Sequence, residues 1–475
     1  MKKVTLLACA LALGSLAFGQ SPQSLDKAEL QELKESYKVD GETKALHNII
    51  KTTNSLKTLA YNPDLAGQTD DYFKYEVNVK GITDQLRSGR CWMFTSMNEL
   101  RPLVMKKYNI NSFDFSHNYS YFYDILEKSN LFLENIIRTA DRDMDDREVC
   151  FYFSSPVGDG GVWNLFYNVA EKYGVVPDNV MPETVHSNNT SQLLSIVNER
   201  LRKGGYEIRE ARNAWMNRTK KVSGVEGTLT YVLKKEKMKA LKDVYRVLSA
   251  CLGTPPTEFT WRFKDKDGKI QTVNSTPHDF YKGIIPSGYD PDNYVMIMND
   301  PTREYYKIYE IQNYRNTIEG INWTYLNLPN DVIKAAALKS IQAGEPMYTS
   351  SDVGKYSNTA SGVGYMDPAL YDYESLLGID LKMEKKARIV TRQSGSSHAM
   401  LLIACDTDDN GNFTKWRLEN SWGPSAGRKG YLNFSDTWFN EYIFRIVINK
   451  KYLDAKTVEC LGQKHVMLPP WDYMF

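Results

Sequence analysis

The stretch SHAMLLIACDTDDNGNFTKWRLENSWG, residues 397–423, carries the reading on which the fold turns. Ser397 to Cys405 is a nearly unbroken apolar run of strand length, as a strand covered on both faces reads. Asp406 to Asn412 is polar and holds Asn410-Gly411, a strong turn signal. Phe413 to Gly423 alternates in character and reads as a second strand. For a symmetric antiparallel hairpin, the midpoint of His398 and Asn420 is residue 409, inside the turn. That register sets His398 opposite Asn420 on one face, with Cβ atoms about 4.5–5.5 Å apart. An asparagine so placed accepts a ring N–H and fixes the imidazole tautomer. Trp422, two residues on, is placed to cover that bond from water. The competing reading is a core histidine at a strand start, and a slip of one residue would break the pairing.

Far upstream lies Gln85-Leu-Arg-Ser-Gly-Arg-Cys91-Trp92. Met93, Met97, Leu100 and Val104 follow at helical spacing, with Pro102 as a kink or strain point. Ser88 and Gly89 are loop formers, so Cys91 falls at a helix N-terminus, where the backbone dipole favours a thiolate. Alone, such a cysteine reads first as a buried structural residue. Beside a histidine oriented by an asparagine it reads as a nucleophile. Gln85, six residues earlier, can donate its amide beside the Cys91 N–H to a developing oxyanion. No HExxH, GxSxG, Walker loop or dinucleotide fingerprint is present.

The remaining 475-residue text bounds the setting. Fifty-nine basic residues face 58 acidic ones, a net charge of +1, so no strong field marks nucleic acid or an anionic membrane as the main partner. With 42% hydrophobic and 25% charged residues the chain is a packed globular protein. Lys2, Lys3, the apolar run Val4–Leu16 and Ala17-Phe18-Gly19 read as a cleaved leader over 1–19, which predicts export and no membrane attachment afterwards. Cys9 lies too early in that run for a lipidated cysteine. Cys91, Cys150, Cys251, Cys405 and Cys460 remain, an odd number without a CxxC pair, so at least one thiol is free. Cys150, Cys251 and Cys460 are read as core residues. No metal ligands and no cofactor are expected. Residues 20–60 read as a helical arm, and the basic text from about 187 to 250 as helices with solvated charged faces. TEFTWRFKDKDGKIQTV reads as a hairpin turning at Asp267-Gly268. Helices early and strands late indicate an α+β fold.

SGRCW, SHAMLLIAC and ENSWG, in this order, resemble papain-like cysteine peptidases. TDQLRSGRCWMF, GGVWNLFYNVAEKYGVVP, CLGTPPTEFTW, SDVGK, KGYLNFSDTWF and the closing LPPWD resemble the bleomycin hydrolase and bacterial aminopeptidase C branch. The resemblance implies a two-lobed fold with Cys91 as nucleophile, His398 as general base and acid, Asn420 as its orienting residue and Gln85 as oxyanion donor. His398 lies 307 residues after Cys91, against about 130–150 in simple papain-like enzymes. The surplus implies an insertion, largely helical, through which such chains assemble as hexamers. The expected organisation is a helical lobe with the nucleophile over 61–185, the insertion over 186–345, a β lobe with His398 and Asn420 over 346–449, and a tail over 450–475 directed to the cleft. The activity implied is a cysteine aminopeptidase acting on peptides, with a broader peptidase or endopeptidase as the alternative and a non-catalytic oligomeric binding protein as the remote one. Two departures stand out. Relatives are commonly intracellular, and their tails run further past the WD pair, whereas here Phe475 ends the chain and its carboxylate is the expected gate for a substrate's N-terminus.

Overall fold

The computed structural model describes residues 24–65, 70–219, 226–284 and 291–474. The expected leader and Phe475 lie outside the described residues. The chain divides into two compact units, residues 1–60 and 61–475. In the first, helix Lys27–Ser36 opens on a reciprocal cap: Asp26 accepts the Glu29 N–H at 2.8 Å and Glu29 accepts the Asp26 N–H at 2.9 Å. Helix Gly41–Thr52 follows, and neither helix buries a residue.

The second unit has a helical part and a sheet. Helix Cys91–Lys107 continues past Pro102 as one element, and its stripe Met93, Met97, Leu100 and Val104 is fully buried. It shares a core with helices His117–Arg138 and Trp163–Tyr173. Helices Ser191–Thr219 and Glu226–Leu252 add Leu193, Val197, Leu201 and Ile208, and Ala240, Val244, Leu248 and Leu252, all buried at helical intervals. A Cβ at Gly204 would come within 2.8 Å of the Ala240 Cβ, so glycine is what lets these two helices close. Lys203, Lys234, Lys235 and Lys239 face solvent, as a charged helix face does.

The sheet is mixed. Its order from one edge is Val466–Leu468, Lys307–Ile311, Thr324–Asn327, Tyr294–Met298, Ile443–Asn449, Met347–Ser351, His398–Thr407, Phe413–Glu419, Tyr431–Ser435, Tyr365–Met366 and Ser357–Asn358. Residues 186–345 therefore contribute three of these strands, as well as the two long helices and the hairpin Phe259–Lys264 with Ile270–Ser275. Gly268 takes φ +81° in that hairpin's turn, where glycine carries no Cβ penalty. Ala399, Tyr348 and Phe444 join the helical core, whereas Met400, Leu402, Ile446 and Ile448 enter a second core with Trp416, Phe434 and Trp438. Burial on both sides is why the His398 strand reads as a continuous apolar run.

Two expectations are corrected. The hairpin is not symmetric about residue 409: Leu401 pairs with Glu419 and Leu402 with Leu418, and irregularities follow at Leu402/Ala404 and Asp406/Thr407. His398 itself pairs with Ser351 on the other side. The shift from the expected register is two residues, an even number, so His398 and Asn420 keep a common face as diagonal neighbours. Of the cysteines read as core, Cys460 is buried, Cys251 partly buried and Cys150 exposed, its thiol against the Met144 carbonyl at 3.2 Å. No disulfide joins the described cysteines.

Candidate active site

The loop before Cys91 is fastened at several points. Gln85 N–H donates to the Ser421 carbonyl at 2.9 Å and Arg87 N–H to that of Asn188 at 3.0 Å. Between them Leu86 takes φ +51°, a conformation that costs a non-glycine residue about 1–2 kcal/mol and that the two flanking bonds hold in place. Arg90 is fully buried. Its guanidinium bonds to Ser88 Oγ at 3.0 Å, pairs with both oxygens of Glu183 at 3.0 Å, and lies over the rings of Phe94 and Tyr121. Cys91 is the first residue of its helix and remains partly exposed, with Trp92, Met93 and Phe94 buried behind it.

His398 begins its strand and is buried. Its Nε2 lies 2.7 Å from Asn420 Oδ1. The Ser421 N–H also points at that oxygen, at 2.8 Å, which identifies it as an acceptor. Nε2 therefore carries the proton, and Nδ1 presents a lone pair. Trp422 stacks on the imidazole with ring centroids 4.5 Å apart, covering the bond as expected.

Gln85 is buried. Its Oε1 accepts from the Ser421 hydroxyl at 2.7 Å and its Nε2 donates to the Ser88 carbonyl at 2.6 Å, which leaves one amide N–H unused. Gln85, Cys91, His398 and Trp422 line one cavity of about 750 Å³, together with Gly160, Gly161, Ser350 and Met474. Asn420 stands behind the histidine. Burial pushes the Cys91 thiol up to about 11, against the pull of the Ala399 and Trp92 backbone N–H groups, and holds His398 down to about 4. Burial thus disfavours the charged form of each group.

The tail reaches this cavity. Trp471 sits against Phe151 and Arg147, Asp472 pairs with Arg303, the Tyr473 hydroxyl meets that of Thr302, and Met474 is only 2% exposed. The gating assigned to Phe475 falls outside the described residues. Sequence reasoning did not pick out Ser421, Glu183 or Asp159, whose Oδ2 accepts the Gly89 N–H at 2.6 Å and whose carbonyl accepts the Trp92 indole N–H at 2.8 Å. Ser421 lies inside the ENSWG motif, whereas Asp159 and Glu183 come from loops 70 and 93 positions from their partners Gly89 and Arg90, with no local signature.

Residues 24–475 match the model of the Peptidase C1-like family. Aminopeptidase C of Lactobacillus delbrueckii subsp. lactis is 35% identical over 428 residues, 89% of this chain and 92% of that protein. Bleomycin hydrolase of Homo sapiens is 34% identical over 435 residues, 90% and 92% of the two chains. The crystal structure of PepW from Lactobacillus rhamnosis HN001 matches with a TM-score of 0.87 at 34% identity, over 95% of this chain and 98% of that one. The expectation of export is corrected by these relatives, because the aminopeptidase C proteins are cytoplasmic enzymes. Residues 1–19, read as the leader, lie outside the described residues. The match to family, relatives and fold together means that this chain belongs to the peptidase C1-like family and is a papain-like α+β cysteine peptidase of the aminopeptidase C and bleomycin hydrolase kind.

Proposed function

We propose that the cavity is the active site of an aminopeptidase that releases residues from the N-termini of peptides. The observation that carries the reading is a helix-start cysteine and a histidine with Nε2 tied to an asparagine, both lining one cavity. Cys91 is the nucleophile, His398 the base and acid, Asn420 its orienting partner and Gln85 the oxyanion donor. Nδ1 of His398 takes the thiol proton as Sγ bonds to the scissile carbonyl carbon. The carbonyl electrons move onto oxygen, where the Cys91 N–H and the unused Gln85 N–H receive them. Collapse breaks the C–N bond, and the imidazolium protonates the departing amine. Water then attacks the thioester, passes a proton to His398, and the acid leaves as the thiol is restored.

Met474 in the cavity and the name of the aminopeptidase C relatives support exopeptidase action, with the Phe475 carboxylate as the group facing the substrate's ammonium. The segments 61–185 and 346–449 act as the two lobes, 450–475 as the gating tail. Residues 186–345 serve assembly into a homo-oligomer, for which Ile196, Tyr206, Tyr231 and Tyr245 are exposed on their helices.

The test is turnover of a fluorogenic amino-acid amide with a free amino group beside its N-blocked twin. Preference for the free amine is expected, and Cys91→Ala should abolish both reactions with the fold retained. Equal cleavage of the twins makes the enzyme an endopeptidase or broad peptidase, and Cys91→Ala activity within about tenfold of wild type overturns the nucleophile.

A further inference from the structure

The turn between strands Lys307–Ile311 and Thr324–Asn327 carries a charge that the assigned chemistry does not use. Arg315 lies in this turn and lines the cavity that Cys91 and His398 also line. The chain is fixed on either side of it. The Tyr314 carbonyl accepts the Trp323 N–H at 3.0 Å and an Asn164 amide N–H at 3.4 Å. Asn316 is fully buried, and its amide donates to Asp124 at 3.0 Å and to the Leu165 carbonyl at 2.9 Å.

The Arg315 side chain has no such anchor. Its Nε is buried without a hydrogen-bond partner, and no carboxylate among the described residues pairs with its guanidinium. The acids of the same region are engaged elsewhere: Glu310 with His465 at 2.7 Å and Asn322 at 2.8 Å, and Glu319 with Lys172 at 2.6 Å. A guanidinium is a planar fork of N–H donors that matches a carboxylate in two bonds. Held at a cavity wall with donors unused, it fits an anion that comes from outside the chain.

Arg445 adds positive charge at the same corner. It is 4% exposed, and its guanidinium lies over the Trp323 ring at 4.1 Å. Trp323 in turn packs edge-on against Tyr314, with ring centroids 5.0 Å apart. Arg445 lines the cavity too, as does Lys128, which is paired with Asp124 at 2.7 Å. No acid is among the described lining residues.

We propose that Arg315 is a specificity-determining residue that binds a carboxylate of the peptide substrate in the active-site cavity. The proposal deepens the reading of this cavity as a peptidase site and rests on it. The carboxylate has two sources, an acidic side chain of the peptide or the free C-terminus of a short one.

The experiment measures kcat/KM at low ionic strength for three pairs of substrates with free amino groups. They are the aminomethylcoumarin amides of glutamate and glutamine, the amidated tripeptides Ala-Glu-Ala and Ala-Gln-Ala, and Ala-Gln-Ala with and without its C-terminal amide. The first two pairs read an acidic side chain at the first or second position, and the third reads the terminal carboxylate. At least one pair should favour the carboxylate about fivefold or more, and the advantage should shrink as salt rises. Arg315→Gln should bring that ratio to about one, and Arg315→Lys should keep part of it. Each ratio is taken within one variant, so a general loss of activity does not imitate the effect. Wild-type ratios near one in all three pairs overturn the proposal, as does a preference that Arg315→Gln leaves at its wild-type value. The peptidase reading fails in a different way, with the neutral substrates uncleaved or cleaved equally by Cys91→Ala.

Discussion

Burial works against both charges that the proposed reaction needs, and this has consequences for single residues. His398 is held near 4, against about 6.5 in an unfolded chain. Between those values the unfolded state binds a proton that the folded state refuses, so stability is complete above about pH 6.5 and falls as pH drops toward 4. The difference amounts to about 3 kcal/mol. His398→Gln should flatten that part of the acid sensitivity, seen as a smaller drop in urea midpoint between pH 7 and pH 4.5; an unchanged drop would assign it to other groups such as His117, which burial also depresses. Gln85 makes a second case. Its Oε1 and one N–H are already used by Ser421 and Ser88, so only the remaining N–H is left for an oxyanion. Gln85→Ala should raise the barrier by about 2.7–4 kcal/mol, appearing in kcat with KM little changed. A collapse of KM with kcat kept would make Gln85 a specificity residue.

At the scale of elements, the site depends on how helix Cys91–Lys107 is tied to strand Phe413–Glu419. Arg101 and Glu419 are both buried; Arg101 donates to Glu419 at 2.8 Å, to the Gly81 carbonyl at 2.8 Å and to Asn98 at 2.8 Å. Glu419 immediately precedes Asn420, so this pair joins the cysteine's helix to the histidine's partner. Arg101→Met strands a buried carboxylate and should cost about 3–5 kcal/mol, measured by urea unfolding, with much of it recovered in Arg101→Met/Glu419→Met. A loss below about 1 kcal/mol would mean that water reaches the carboxylate. Much of this arrangement is legible in the text. The stripe Met93, Met97, Leu100 and Val104 gives the helix, and the apolar run after Ser397 gives the strand. The hairpin register was read two residues off because the turn centres on residue 410, as the pairs Thr407–Phe413 and Leu401–Glu419 both show, whereas the two irregularities between them cancel. The His–Asn contact survived that error only because the slip was even. Arg101–Glu419 and Arg90–Glu183 link residues 318 and 93 positions apart, where no periodicity reports a partner. Strands Tyr294–Met298, Lys307–Ile311 and Thr324–Asn327 lie in a stretch expected to be largely helical, since short apolar runs do not separate helix from strand.

For the whole molecule, residues 471–474 carry the tail to the cavity. Two polar contacts decide the approach: Asp472 with Arg303, and Tyr473 with Thr302. With Trp471 against Arg147 and Phe151, they bring Met474 to the wall of the cavity that Cys91 and His398 also line. A side chain buried there occupies space that the upstream part of a longer substrate would need. Among the described lining residues the charged ones, Lys128, Arg315 and Arg445, are all cationic, so these walls offer an ammonium no carboxylate. Deleting Tyr473, Met474 and Phe475 should therefore raise cleavage of N-blocked peptides and lower cleavage of free-amino ones. Arg303→Ala, which frees Asp472 without shortening the chain, should move the ratio the same way by a smaller amount. Free-to-blocked ratios that stay at the wild-type value in both variants would show that the tail fills the cleft without selecting what enters it, and selection would then have to come from the cavity walls.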